Sequence, residues 1–165
     1  QPQRAQQFLM QSKKQLGKLG ATFRQNYPHI KKIAVVQFAD SNNLRIYTNN
    51  SLFRPTFEVM GLNLITLEDQ MGKGNLWGFN SLALSDLAKL DDDTCLVVVE
   101  PFSPMLRQEL AKNLLWQRLG YGASANNSRC MAVLPPIWLY GGVSSMVVFG
   151  ERLNQAHWLG GKAHG

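Results

Sequence analysis

Thr94-Cys95-Leu96-Val97-Val98-Val99 is an almost unbroken apolar run. A half-solvated strand alternates polar and apolar residues, and this run does not, so it predicts a strand buried on both faces of a mostly parallel sheet. Working outward, Lys32 to Phe38 reads as a second core strand. Asp40-Ser41-Asn42-Asn43 then makes a turn, and Leu44 to Thr48 is a further extended piece. Asn49-Asn50-Ser51 offers N-cap side chains for a helix over about 52–60 that ends at Gly61, and 62–66 is a short strand. Leu82 to Leu90 reads as a short helical stretch or turn. Residues 104–118 read as a helix with Leu106, Leu110, Leu114 and Leu115 inward, and 129–133 as the last strand. A closing helix over 141–157 puts Met146, Phe149, Leu153 and Ala156 on one face. This alternation predicts an α/β three-layer sandwich.

Ahead of the sheet, Ala5, Phe8, Leu9, Ser12, Leu16, Leu19 and Phe23 recur at three- and four-residue spacing, which predicts one long amphipathic helix over 4–25. Gly17 and Gly20 weaken it, and Asn26-Tyr27-Pro28 stops it. The chain of 165 residues is 45% hydrophobic and 17% charged, the profile of one globular domain. Its net charge of +6 is uneven. Seven of the 17 basic residues fall within 1–32, which has no acid, leaving ten bases against all 11 acids. The excess is therefore read as the solvated face of the first helix, and no nucleic-acid partner is expected. No apolar run reaches the roughly 18 residues of a membrane helix.

Two loops combine breakers with aromatics: Gly72-Lys73-Gly74-Asn75-Leu76-Trp77-Gly78-Phe79-Asn80, and Pro135-Pro136-Ile137-Trp138-Leu139-Tyr140-Gly141-Gly142. Their rings could be ordinary packing residues. They also suit a ligand wall, since each has an apolar face and a polar tip. Placed just after strands, both loops are expected at the carboxyl edge of the sheet, where α/β folds bind ligands.

Catalytic signatures are missing. Gly72-Lys73-Gly74-Asn75 lacks the spacing and terminal Ser or Thr of a P-loop, and Gly141-Gly142-Val143-Ser144-Ser145 is not a nucleophile elbow. His29, His157 and His164 lie at a helix exit and in the tail, so nothing places one beside a nucleophile. Asp91-Asp92-Asp93 lacks the spaced oxygens of a calcium loop and reads as a solvated turn. Cys95 and Cys130 lack metal or redox spacing. They read first as buried small hydrophobes, with a disulfide between neighbouring strands left open. The residues point to binding rather than turnover.

Asn75-Leu76-Trp77-Gly78, Leu82-Ala83-Leu84 with Leu87, Leu115-Trp116-Gln117, Ile137-Trp138-Leu139-Tyr140-Gly141, Gly160-Gly161-Lys162-Ala163 and the earlier Asn50-Ser51-Leu52-Phe53 occur in order along the chain. Together they resemble the periplasmic ferric-hydroxamate siderophore-binding proteins of bacterial ABC importers. The resemblance implies two α/β lobes joined by a rigid helix, with the ligand in a shallow cleft between them. Residues 1–27 would be that helix and 28–165 the C-terminal lobe, with the N-terminal lobe outside the chain.

By the same resemblance Trp77, Trp138 and Tyr140 match aromatic wall residues and Asn75 a polar neighbour. Leu139 stands where Phe is usual, and Phe79 where a small residue is usual. The acidic residue that meets a permease arginine would fall at Ser85, which makes its neighbour Asp86 the docking candidate. The implied ligand is a ferric siderophore whose iron is held by the chelator, with no protein cofactor or metal ligand. The implied partner is an inner-membrane ABC permease, and the implied state a periplasmic monomer. Other bulky chelates such as cobalamin or haem remain alternatives, as does an α/β enzyme or an interaction domain using the basic helix.

Overall fold

A computed structural model of the chain describes residues 2–121, 129–136 and 142–160. In chain order it has α1 (Pro2–Asn26), β1 (Lys32–Phe38), β2 (Asn43–Tyr47), α2 (Phe53–Met60), β3 (Asn63–Leu64) and α3 (Glu68–Met71). There follow β4 (Phe79–Ala83), a 3-10 turn (Leu84–Lys89), β5 (Thr94–Val99), α4 (Pro104–Ala111), α5 (Leu114–Leu119), β6 (Met131–Leu134) and α6 (Gly142–Gln155). The main sheet order is β4-β2-β1-β5-β6, and the short β3 also pairs with β1. β1, β3, β5 and β6 are mutually parallel, while β2 is antiparallel to both β1 and β4.

The run that decided the fold behaves as expected, since all six residues of β5 are buried. Its alternate side chains feed two separate cores. Cys95, Val97 and Val99 join Ile33 and Val35 beneath α1, α2 and α6, where Leu16, Phe23, Phe57, Phe149 and Trp158 pack. Leu96 and Val98 join Ala34, Val36 and Ile46 on the other face, under Leu87, Leu110 and Trp116. Helices therefore cover both faces of the sheet, giving the three layers the sequence implies.

The elements depart from expectation in four places. Residues 79–83 are strand rather than the end of a loop, because their backbone completes a ladder with β2 from Tyr47↔Phe79 to Asn43↔Ala83. The expected single helix over 104–118 is two. The Asn113 carboxamide oxygen accepts from the Leu115 and Trp116 N–H groups and caps a new helix. The restart changes the phase, so Leu114 is 68% exposed and Trp116 is buried in its stead. On α1 the buried residues begin only at Ser12; Phe8 and Leu9, which the periodicity places on the core stripe, are exposed together with Met10. Cys95 and Cys130 are buried, but as a disulfide rather than as free small hydrophobes. They directly precede the Leu96↔Met131 pair of two hydrogen-bonded strands, with Cα atoms 4.8 Å apart.

The acidic turn is tied down rather than merely solvated. Lys32 Nζ lies 3.3 Å from both Asp91 and Asp93, and Arg129 donates to Asp92 at 2.6 Å and to the Leu90 carbonyl at 3.1 Å. Among the described residues no group of acids, histidines or cysteines could hold a metal ion.

Gly20 does more than weaken α1. A Cβ there would overlap the Met60 carbonyl and Cα, so the missing side chain lets α1 approach the end of α2. Arg24 Nε, one turn on, donates to that same Met60 carbonyl at 3.1 Å. Gly17 meets nothing within 4 Å. Gly20→Ala should therefore destabilise the fold by about 2 kcal/mol despite alanine's better helix propensity, while Gly17→Ala should be neutral or stabilising. Urea unfolding midpoints of the two variants would check the contrast.

Candidate aromatic binding surface

The loop between α3 and β4 is shaped by glycines and by one asparagine. Gly72, Gly74 and Gly78 all have positive φ. At Gly78 the lack of a side chain is also steric, since a Cβ would sit 2.7 Å from the Ser51 Cα. The Asn75 side-chain oxygen accepts from the Trp77 N–H at 2.9 Å and the Phe79 N–H at 3.2 Å. The Asn75 N–H donates to the Phe79 carbonyl, and the Gly78 carbonyl accepts from Thr48 N–H at 2.8 Å. Asn80 Nδ2 donates to the Gly72 carbonyl at 2.7 Å, closing the base of the loop.

This cross-bracing has a cost in exposed apolar surface. Leu76 is fully exposed and Trp77 is 82% exposed. The reading of Trp77 as ordinary packing is therefore overturned: the loop is pinned so that its ring stands in solvent. An apolar pair held outward on a fixed turn marks a surface built to be covered. Asn75 is a shaper of the loop, with its oxygen already engaged by two backbone donors.

Behind the loop lies an open cavity of about 420 Å³, within the size range of small-molecule sites. Arg45 and Tyr47 of β2, Phe79 of β4, Asn50 to Phe53 at the start of α2, and Ser145, Met146 and Phe149 of α6 line it with Leu76 and Trp77. Its wall is a chain of edge-to-face rings. Phe79 meets Tyr47 at 6.4 Å between centroids, Tyr47 meets Phe53 at 5.0 Å, and Phe53 meets Phe149 at 5.1 Å. The last ring belongs to the core, so the wall is continuous with the fold's own packing. The sequence reading missed Arg45, Tyr47 and Phe149 as lining residues. The available signal was the alternation on β2, where Leu44 and Ile46 are buried and Arg45 and Tyr47 face the other way.

The expected position of the Trp77 loop at the carboxyl edge of the sheet needs correcting. The loop enters β4, whose first residue pairs with Tyr47 at the end of β2. Because β2 runs against β1, with Val36 opposite Ile46, that end lies toward the start of β1 and not its finish. Trp138, Leu139 and Tyr140 lie outside the described residues. The helix that follows them does border the cavity, through Ser145 and Met146 in its first turns.

Asp86 sits in the 3-10 turn after β4, partly exposed. Its carboxylate accepts from the Ala83 N–H and pairs with Lys89, both at 2.9 Å. The Lys89 hydrogen bond, followed by the Ala83 N–H, holds its pKa below the usual aspartate value. It is ionised and already engaged, rather than an idle surface charge.

No family model matches the chain. Among solved structures, the siderophore-binding protein FhuD from Vibrio cholerae with bound Fe3+-desferal aligns with 92% of this chain at 22% identity and a TM-score of 0.70. FhuD2 from Staphylococcus aureus with bound ferrioxamine B aligns with 93% at 11% identity and a TM-score of 0.65. PiaA from Streptococcus pneumoniae in complex with ferrichrome aligns with 93% at 13% identity and a TM-score of 0.62. The chain has the fold of half a siderophore-binding protein. It spans 53%, 57% and 52% of the length of these three chains, respectively.

Proposed function

We propose that this chain is the C-terminal lobe, with its connecting helix, of the substrate-binding component of an ABC importer, and that it binds a ferric siderophore of the hydroxamate type for iron uptake. The observation that carries the reading is the Leu76–Trp77 edge, pinned outward beside an aromatic cavity on a fold shared with siderophore-binding proteins. A chelate encloses its own iron, so a protein needs apolar surface and a few polar contacts to hold it, not metal ligands. Trp138, Tyr140 and Leu139 extend the same wall in this reading, and Asn75 fixes its geometry. The exposed Phe8, Leu9 and Met10 leave apolar surface on α1 ahead of its buried turns, which suits a helix that packs on a second lobe. A buried disulfide suits an oxidising compartment such as the periplasm.

The test is a fluorescence titration of the intact two-lobe protein with ferric hydroxamates, cobalamin and haem. Ferric hydroxamates should quench the indoles and saturate, and the other two should not. Quenching by haem or cobalamin alone would reassign the ligand.

Asp86 is the residue proposed to meet a permease arginine. A rim charge acts mainly on encounter and register, so Asp86→Lys should reduce iron uptake in cells while leaving siderophore affinity unchanged. Because the variant also loses a cap and an ion pair, its thermal unfolding must be followed alongside. Normal uptake by a folded Asp86→Lys protein would remove Asp86 from the docking surface.

A further inference from the structure

Of the described residues lining the cavity, only Arg45 carries a charge. Its guanidinium carbon lies 4.4 Å from the centroid of the Phe79 ring, so one face of the cation rests on an aromatic and its N–H edges remain available to an acceptor. The ion pairs among the described residues join Lys32 to Asp91 and Asp93, Arg54 to Glu58, Lys89 to Asp86, and Arg129 to Asp92. None of them neutralises Arg45. Tyr47 beside it adds no negative charge: burial pushes its phenol up, and Arg45 only partly pulls it back. The cavity is also bordered by the starts of two helices, α2 at Asn50 to Phe53 and α6 at Ser145, whose N-terminal dipole ends add to the positive potential.

We infer that Arg45 makes this surface selective for ligand charge: the cavity takes an anionic arm of a bulky chelate, a carboxylate, and disfavours a cationic one. Carboxylate is the best match because the guanidinium presents parallel N–H donors that fit two oxygens at once. The Phe79 ring shields one face of the guanidinium and leaves its edge to the ligand. This deepens the siderophore reading and rests on it.

The experiment uses three ferric trihydroxamates that share one iron centre and differ at one terminus: ferrioxamine B with a free amine, its neutral N-acetyl form, and its anionic N-succinyl form. Affinities for the intact protein are read by tryptophan quenching at low and high salt. The wild type should bind the succinyl form roughly tenfold more tightly than the amine form, and added salt should shrink the difference. Arg45→Gln should flatten the series, with the largest loss of affinity at the anionic form, and Arg45→Lys should keep part of the preference. Arg45 is exposed on β2, so circular dichroism should show both variants folded. If all three chelates bind and Arg45→Gln keeps the wild-type ranking, charge selection by Arg45 is overturned and the siderophore reading stands. If none of the three binds, both are overturned.

Discussion

Replacing Cys95 and Cys130 together by Ala should lower the unfolding free energy by about 4 kcal/mol. The two cysteines are 35 residues apart and join adjacent strands. Closing a loop of that length in the unfolded chain corresponds to about 4 kcal/mol in the chain-entropy account. For a domain of this size the loss amounts to roughly 10 °C in melting temperature. The crosslink also spans the loop that leaves β5 and both helices α4 and α5, so it fastens β6 to β5 across the long connection between them. Thermal unfolding of the oxidised protein, the reduced protein and the double variant gives the comparison. The reduced protein and the variant should melt together, well below the oxidised form. Equal melting of all three would mean that the strand ladder alone holds β6.

The difference between what the sequence made legible and what it hid follows from range. β5 was plain because burial on both faces leaves its mark on consecutive residues, and α6 because its inward residues repeat within a single helix. The C-cap at Gly61 is equally local, and the glycine adopts the left-handed conformation expected of it. β4 was hidden because Phe79-Asn80-Ser81 has no strong strand character of its own; its partner on β2 supplies the ladder. The split between α4 and α5 turned on Asn113, which competes for backbone donors when the chain can restart a helix.

The binding surface divides in the same way. Trp77 could be singled out by composition, since a large ring between glycines is poor core material. Its exposure could not, because that depends on Asn75 and Thr48 bracing the turn from two directions. The lining residues Arg45, Phe53 and Phe149 are far apart in sequence and meet only through the antiparallel hairpin and the packing of α6 on α2. Reading the loop positions from strand order alone missed that the Trp77 edge enters the sheet beside the reversed β2, level with the middle of β1, since that rule presumes parallel strands throughout. The reversal of β2 broke it.

Trp77→Ala in the intact protein should weaken ferric hydroxamate binding by roughly ten- to a hundredfold. The ring is 82% exposed, so its removal costs the free protein little packing and the effect falls on the complex. Full burial of such a side chain against a chelate contributes on the order of 1–3 kcal/mol, which corresponds to that loss in affinity. Melting temperature should stay within about 2 °C of wild type, because no core contact is removed. Trp77→Phe should recover much of the affinity, since a smaller ring still covers apolar surface. Asn75→Ala should behave differently. It strips the turn of the oxygen that holds the Trp77 and Phe79 N–H groups, so both affinity and the steady-state anisotropy of the indole should fall. Titration by isothermal calorimetry avoids relying on the fluorophore that the substitution removes. Wild-type affinity in Trp77→Ala would show that the pinned edge faces some other partner, and the aromatic cavity would then have to hold the ligand without it.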